Sequence, residues 1–196
     1  MRHDVLIVGL TGMPGAGKTT LARSLATCGF PVVIMGDAVR EAAKNANLEL
    51  NDCNLGSMMI NLRKTKGPGA IAFLLLDKID GILTTGANIR ALIVDGIRNI
   101  EEMKVLETAG PVKLLAVHSS TRIRFQHLMS RGRTDAPVTV DDFTERDRRE
   151  LEVGLSYAIA LADETISNNG ITVDELCKEG SKVVEKWIVE ERNKNH

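Results

Sequence analysis

The sequence predicts an α/β fold, in which a five-stranded parallel sheet carries helices on both faces. Four short apolar runs are continuous rather than alternating, which is typical of strands that are buried on both faces. Segments with helical spacing lie between these runs, and strands that alternate with helices indicate βαβ units in three layers. The predicted strands are residues 5–10, 31–35, 91–94 and 112–117, with residues 164–167 as a weaker fifth candidate.

The composition is that of one ordinary globular domain. The 196 residues include 25 Lys+Arg and 26 Asp+Glu, and 43% are hydrophobic. A net charge of −1 gives no general attraction to nucleic acid or to anionic membranes, and with 3% aromatic residues there is little material for stacking bases. The run at 5–10 is too short for a membrane span or a signal segment, and the three cysteines lack paired spacing. We therefore expect a cytoplasmic protein with no nucleic-acid or membrane partner.

The turn after the first strand carries the clearest motif. Residues 12–19 read GMPGAGKT, the G-x-x-x-x-G-K-[ST] pattern of a phosphate-binding loop, between a buried strand and a helix. In such a loop backbone N–H groups face phosphate oxygens, the lysine reaches the β- and γ-phosphates, and the threonine hydroxyl binds Mg²⁺. The alternative is a glycine-rich turn that only closes the βα unit. We predict that ATP and Mg²⁺ bind at Gly12, Met13, Pro14, Gly15, Ala16, Gly17, Lys18, Thr19 and Thr20.

The segment between the second and third strands is longer than one crossover helix needs. Helical spacing and cap residues predict three helices there, at 37–47, 54–66 and 68–83, the last with Pro68 in its first turn. A helical lobe at the carboxyl edge of a parallel sheet is placed to hold a substrate.

These elements predict one domain over residues 1–196. Its core is expected at 1–36 and 84–196, with the inserted acceptor-binding lobe at about 37–83. The last helix is expected to begin with a capping box at Thr172 and to pack its apolar stripe on this core.

The third strand brings a carboxylate to the carboxyl edge of the sheet. Asp95 ends the apolar run, where a Walker-B aspartate would organise Mg²⁺. An aspartate at this position is also a common turn or N-cap residue. The phosphate-loop motif favours the metal role, so we predict Thr19 and Asp95 as metal ligands.

Arginines without lysines are concentrated between residues 121 and 149. Guanidinium groups bind phosphate oxygens in pairs and stabilise charge on a transferring phosphoryl group. Arg131 and Arg133 lie in a loop-forming run, which predicts a short lid at about 131–141. Interleaved acidic residues make an exposed, ion-paired helix surface an alternative for the last arginines. The seven are Arg122, Arg124, Arg131, Arg133, Arg146, Arg148 and Arg149.

Two histidines lie near this segment. His118 ends the fourth strand and His127 follows on the next helix, and neither has a partner carboxylate at a useful spacing. We expect each to be a polar residue with a local partner.

Three segments resemble the adenylate kinase and nucleoside monophosphate kinase superfamily of P-loop kinases. They are the loop at 12–19, the segment GDAVR at 36–40 and the segment DGIR at 95–98. In that superfamily the last two segments line the acceptor site, and their arginines bind the acceptor's phosphate. The resemblance implies a three-layer P-loop fold and contacts to the acceptor from Asp37, Arg40, Asp95 and Arg98.

Two further resemblances cover more of the chain. The tail ADETISNNG at 162–170, together with Asp37, resembles dephospho-coenzyme A kinase. Over nearly its whole length, including RGRTD at 131–135 and ERDRREL at 145–151, the chain is similar to an archaeal family of small P-loop kinases.

These residues predict an ATP- and Mg²⁺-dependent phosphotransferase, with Lys18, Asp37, Arg131, Arg133 and Arg149 as the catalytic residues. A nucleoside monophosphate offers an ionised oxygen and needs no base, whereas a hydroxyl acceptor such as that of dephospho-coenzyme A would use Asp37 as general base. Asp37 could alternatively serve only as the N-cap of the helix that it precedes.

The nature of the acceptor follows from two arginines. Arg40 and Arg98 favour a phosphate near the reacting end, so a nucleoside monophosphate is our first expectation. The alternative to a phosphotransferase is a regulatory ATPase that has no small-molecule acceptor.

Overall fold

A computed structural model describes residues 3–85, 88–130 and 139–194. Its centre is a five-stranded sheet in the order β2-β3-β1-β4-β5, with every pairing parallel. The predicted α/β fold is therefore confirmed. The strands are β1 (Leu6–Thr11), β2 (Val32–Ile34), β3 (Ala91–Asp95), β4 (Val112–His118) and β5 (Glu164–Ser167).

Strand β1 lies in the middle of the sheet, which explains its continuous apolar run. Leu6 pairs with Ala91 of β3, and Ile7 pairs with Val112 of β4. All six residues of β1 are buried because neighbouring strands cover its edges and helices cover both of its faces.

The described residues form ten helices, which lie on both faces of the sheet. They are α1 (Lys18–Thr27), α2 (Met35–Asn45), α3 (Asp52–Lys66), α4 (Ala70–Phe73), α5 (Leu76–Leu83), α6 (Ile100–Leu106), α7 (Thr121–Met129), α8 (Val140–Glu152), α9 (Leu155–Ala160) and α10 (Val173–Lys194). None of these helices is long and apolar enough to cross a membrane.

Two apolar layers hold the helices to the sheet. One face of the sheet packs on α1 and α10, whose Leu21, Leu25 and Trp187 are buried. The other face packs on the helices that follow β2, and Ile71 and Ile79 are fully buried there. The segment predicted as an inserted lobe thus shares a core with the sheet, and its separation as a lobe remains a prediction.

The helix after β2 begins earlier than its polar residues suggest. Helix α2 starts at Met35 directly after the strand, and its N-cap is Ile34. The N-cap alternative for Asp37 is therefore wrong, because this residue already lies in the first helical turn. Met35 is fully buried, and this packing fixes the start of the helix although no side chain caps it.

The helix predicted at 68–83 is two helices, α4 and α5. The break follows Phe73, where the Leu75 N–H bonds to the Ala72 carbonyl at 3.0 Å, a tighter i to i−3 turn than that of an α-helix. This turn lets Leu75 reach the core. Pro68 lies before α4 rather than in a first helical turn, since Gly69 is the N-cap.

The predicted lid falls largely outside the described residues. Residues 131–138 are not described, and Thr139 forms the N-cap of α8 in a capping box with Asp142. The last residues assigned to the lid, from Val140, are therefore the first turn of a helix.

Candidate active site

The loop between β1 and α1 needs its glycines. Gly12, Gly15 and Gly17 have φ values of 137°, 83° and 112°, which lie in the left-handed region. A Cβ atom on Gly12 would lie 2.2 Å from the Val117 carbonyl oxygen. The loop therefore combines a backbone shape and a close approach to β4 that other residues would not allow.

The predicted lysine lies over this loop. The Lys18 Nζ atom donates to the carbonyls of Gly12 and Met13 at 2.6 and 3.1 Å, and its side chain lines the adjoining cleft. Lys18 begins α1, and Thr20 follows in the same first turn. An ammonium group at this position can contact phosphate oxygens bound by the loop.

Thr19 and Asp95 lie together, as the sequence predicts for a metal site. The Thr19 hydroxyl donates to Asp95 Oδ2 at 3.0 Å. Asp95 is 3% exposed, and its buried Oδ1 atom has no hydrogen-bond partner. An unpartnered buried carboxylate oxygen is costly, and it is a ligand that Mg²⁺ prefers. These two residues therefore fit Mg²⁺, with nucleotide phosphates and water completing its coordination.

The residues predicted for the acceptor come from two elements. Asp37 and Arg40 lie one turn apart on α2, and Arg40 Nη1 donates to Asp37 Oδ1 at 2.7 Å. Arg98 follows β3, and its Nη1 donates to the Gly96 carbonyl at 3.1 Å. All three side chains line the same cleft as the phosphate loop.

This cleft has a volume of about 640 Å³. The phosphate loop and Asp95 line it together with Asp37, Arg40 and Arg98. The structure thus brings together the predicted nucleotide, metal and acceptor residues at the carboxyl edge of the sheet, where ligands of open α/β folds bind.

Glu150 of α8 lines the same cleft, next to Arg98. Its Oε2 atom accepts a hydrogen bond from Arg98 Nε at 2.5 Å. Burial raises the pKa of Glu150, but the charge and the hydrogen bond of the adjacent Arg98 act in the opposite direction. The net result is a pKa below its usual range. For Arg98 the signs are reversed: burial lowers the pKa and Glu150 raises it, and the net pKa is above its usual value. Both groups are therefore ionised at neutral pH.

A second ion pair lies beneath Arg98. The Arg98 backbone N–H donates to Glu102 Oε2 at 2.7 Å, and Glu102 Oε1 accepts from Arg63 Nη2 at 2.5 Å. Glu102 is fully buried and Arg63 is 8% exposed. Burial lowers the pKa of Arg63 more than Glu102 raises it. This pair anchors the start of α6 to α3 next to Arg98.

The predicted catalytic arginines have different placements. Arg149 is ion-paired with Asp52 of α3, and both line a smaller cavity of about 80 Å³ beside the main cleft. Arg131 and Arg133 lie outside the described residues. The exposed Arg148 pairs with acidic neighbours on its own helix, so the ion-paired surface expected as the alternative fits this residue.

The main cleft also contains Arg146, one of the seven arginines singled out in the sequence, and two residues that were not predicted for it, Glu150 and Arg23. Arg146 and Glu150 are four residues apart on α8 and line the cleft together. Arg23 of α1 lines it as well, four residues after Thr19. Helical spacing could have identified these residues, because positions i and i+4 share one face of a helix.

The phosphate loop after β1, the buried Asp95 after β3 and the strand order define a nucleotide-binding fold of the P-loop kinase type. The family described as AAA domain matches residues 11–143. A UPF0200 protein of Thermococcus kodakarensis is 38% identical over 186 residues, which cover 93% of this chain and 98% of the relative. A UPF0200 protein of Methanocaldococcus jannaschii is 40% identical over 164 residues, which cover 84% and 82% of the two chains. The chain belongs to the UPF0200 family.

Solved structures show the same fold at low identity. TT1252 from Thermus thermophilus aligns with a TM-score of 0.64 at 18% identity and covers 93% of this chain and 98% of its own. A gluconokinase from Sinorhizobium meliloti 1021 has a TM-score of 0.57 at 16% identity and covers 100% of both chains. Shikimate kinase from Acinetobacter baumannii, in complex with shikimate, has a TM-score of 0.54 at 15% identity, with 94% and 95% covered.

Proposed function

We propose that the chain is an ATP- and Mg²⁺-dependent phosphotransferase that moves the γ-phosphoryl group to a small phosphate-bearing acceptor. The observation that carries the proposal is the single cleft of about 640 Å³ that joins the phosphate loop to Asp37, Arg40 and Arg98. A kinase needs its donor and acceptor in one water-poor space, with the attacking oxygen in line with the γ-phosphorus. The first candidate for the acceptor is a nucleoside monophosphate.

On the donor side, each residue has a distinct task. The loop N–H groups and Lys18 would bind the β- and γ-phosphates, and Thr19 and Asp95 would hold Mg²⁺. The bound ion would neutralise charge on the phosphates. The unpartnered Oδ1 atom of Asp95 supports this assignment.

On the acceptor side, two guanidinium groups support a phosphate-bearing acceptor. Arg40 and Arg98 approach the cleft from different elements, so they can bind one phosphate from two directions. The bonds of Arg98 to Glu150 and to the Gly96 carbonyl fix the plane of its guanidinium group, which favours a defined acceptor position.

A hydroxyl acceptor is the second candidate, and Asp37 supports it. Asp37 does not cap α2, its carboxylate lines the cleft, and Arg40 is bonded to it. As general base it would accept the proton of the acceptor hydroxyl while that oxygen bonds to the γ-phosphorus and ADP leaves. The fold neighbours named as gluconokinase and shikimate kinase support small-molecule kinases as a class.

A coupled assay of ADP formation tests the proposal. Mg·ATP is supplied with a panel of nucleoside monophosphates or with dephospho-coenzyme A, and Lys18→Ala serves as the blank. Acceptor-dependent turnover that is absent from Lys18→Ala supports the kinase. Slow Lys18-dependent hydrolysis that no acceptor stimulates would contradict it and favour a regulatory ATPase.

Asp37→Asn separates the two acceptor classes. Transfer to a hydroxyl should lose a factor of about 10² to 10⁴ in kcat, because the general base is removed. Transfer to a monophosphate should retain most of its kcat, because the attacking oxygen is already ionised.

A further inference from the structure

Three consecutive carbonyl groups of the phosphate loop, those of residues 14–16, each have a side-chain partner from outside the loop. Arg124 Nη1 donates to the first at 3.1 Å. His127 Nδ1 lies 2.9 Å from the second and must carry the proton of that hydrogen bond, since a carbonyl can only accept. Asn168 Nδ2 donates to the third at 2.9 Å. The outer side of the loop is therefore held at every peptide from 14 to 16.

Two of the three donors have further contacts of their own. Arg124 is 5% exposed, and both of its terminal nitrogens bond to the carboxylate of Asp147, at 2.9 and 2.6 Å. Its guanidinium group also lies 4.9 Å from the centre of the Phe143 ring. Asn168, 9% exposed, directly follows β5, and its backbone N–H bonds to the His118 carbonyl at 2.7 Å. These contacts hold Arg124 and Asn168 against the outer side of the loop.

The glycines of the loop admit these donors. A Cβ atom on Gly15 would lie 2.5 Å from the Arg124 carbonyl oxygen, and one on Gly17 would lie 2.6 Å from Asn168 Nδ2. Gly15 and Gly17 are therefore needed for the close contacts on the outer side of the loop as well as for its backbone conformation.

Peptide geometry connects the outer contacts to the inner surface of the loop. A trans peptide points its C=O and its N–H in opposite directions. Holding the carbonyls of residues 14–16 outward therefore aims the N–H groups of residues 15–17 toward the concave side. One of them, the Ala16 N–H, closes a turn on the Met13 carbonyl at 3.1 Å. A concave row of N–H groups is the structure that binds phosphate.

We propose that Arg124, His127 and Asn168 are positioning residues that hold the phosphate loop in its anion-binding conformation. Without such a partner, a carbonyl of the loop can rotate inward, where its oxygen repels phosphate oxygens and its peptide N–H is lost to the ligand. The three side chains act through the backbone of the loop. The inference rests on the part of the proposed function that places a nucleoside triphosphate at this loop, and not on the acceptor.

Titration calorimetry with Mg·ATP on the full chain tests the role of His127. His127→Ala removes one donor and should raise the Kd roughly tenfold. His127→Asn places an amide nitrogen near the position of Nδ1 and should restore the Kd to within about threefold of the unsubstituted protein. Gln126→Ala, at the exposed neighbouring position on α7, is the matched control and should leave the Kd unchanged.

Asn168→Asp tests the third contact at nearly constant shape. The substitution turns a carboxylate oxygen toward the Ala16 carbonyl, so repulsion replaces a hydrogen bond, and the Kd should rise roughly tenfold or more. Thermal unfolding without nucleotide is recorded for each variant. Lower thermal stability with an unchanged Kd in both His127→Ala and Asn168→Asp would overturn the proposal, because the residues would then be merely structural.

The calorimetry also separates this proposal from the proposed function. Binding of Mg·ATP without transfer to any acceptor would contradict the phosphotransferase and leave the positioning role intact. If the unsubstituted chain bound neither Mg·ATP nor tripolyphosphate, both proposals would be overturned. The loop held by Arg124, His127 and Asn168 would then not be a phosphate-binding site.

Discussion

Glu150 and Arg98 form an ion pair inside the cleft, with Glu150 Oε2 2.5 Å from Arg98 Nε and the glutamate side chain 8% exposed. One turn earlier on the same helix, Asp147 holds Arg124, which contacts the phosphate loop. Helix α8 thus contacts Arg98 directly and the phosphate loop through Arg124. Its two carboxylates place guanidinium groups at both halves of the proposed active site.

Glu150→Gln should weaken acceptor binding. The amide keeps one oxygen acceptor but loses the charge that orients Arg98, so the acceptor KM should rise about tenfold with smaller changes in kcat and in the KM for ATP. Steady-state kinetics with the acceptor identified in the coupled assay give both KM values. The control is Glu145→Gln on the exposed side of α8. An equal rise in the KM for ATP would contradict a specific role at the acceptor.

The ion pair should also make stability depend on pH. The pKa of Glu150 in the folded chain lies below its ordinary value of 4.5. The pair therefore contributes stability that is complete above about pH 4.5 and lost as the pH falls through the lower folded pKa. Urea unfolding of the unsubstituted protein and Glu150→Gln should differ in free energy at pH 7 and converge in acid. A difference that stayed constant from pH 7 to pH 3 would refute this assignment.

Arg40→Ala should chiefly affect the acceptor. Loss of a charge-assisted contact to an anionic acceptor should raise the acceptor KM by about 10- to 100-fold and leave the Kd for Mg·ATP unchanged. Acceptor kinetics and calorimetry measure the two quantities separately. An unchanged acceptor KM would remove Arg40 from the acceptor site.

Asp95→Asn should weaken the dependence of nucleotide binding on Mg²⁺. An amide is a poorer ligand than a carboxylate for this ion, so the Mg²⁺ concentration for half-maximal ATP binding should rise roughly tenfold or more. Thr19→Val should act in the same direction by removing the hydroxyl. Thr27→Val at the exposed end of α1 is the matched control. Unaltered Mg²⁺ titrations in both site variants would exclude this metal assignment.

Glu102→Ala should strongly destabilise the fold. It leaves Arg63 buried without its ion-pair partner, which costs about 3–5 kcal/mol in comparable buried pairs. Urea unfolding measures the change, and Glu101→Ala, an exposed position one residue earlier, is the control. A loss below about 1 kcal/mol would mean that the site relaxes around the remaining charge.

The predicted site residues that the structure brings together were identified from short-range patterns. A buried strand, a glycine loop and a helix are adjacent in sequence, so residues 12–19 could be placed without knowledge of the rest of the chain. The pairing of Thr19 with Asp95 also followed, because the carboxyl ends of parallel strands meet at one edge. By contrast, the start of α2 at Met35 was missed because burial of Met35, and not a capping side chain, fixes it.

The placement of the arginines of α8 could not be predicted from the local sequence pattern alone. Arg146 and Arg149 lie three residues apart and both pair with Asp52, yet Arg146 lines the main cleft as well as the smaller cavity, whereas Arg149 lines the smaller cavity and not the main cleft. Both pairings depend on the packing of α3 against α8, which joins residues more than ninety positions apart in sequence.

The sequence by itself determined the α/β fold, the phosphate loop and the aspartate after β3, because each is encoded by neighbouring residues and by strand order. Only the tertiary structure decided which charged side chains meet in the cleft. Glu150 with Arg98, and Arg124, His127 and Asn168 with the loop carbonyls, are contacts between residues 52 to 152 positions apart. Their pairing depends on how helices pack on the sheet, which no local pattern specifies.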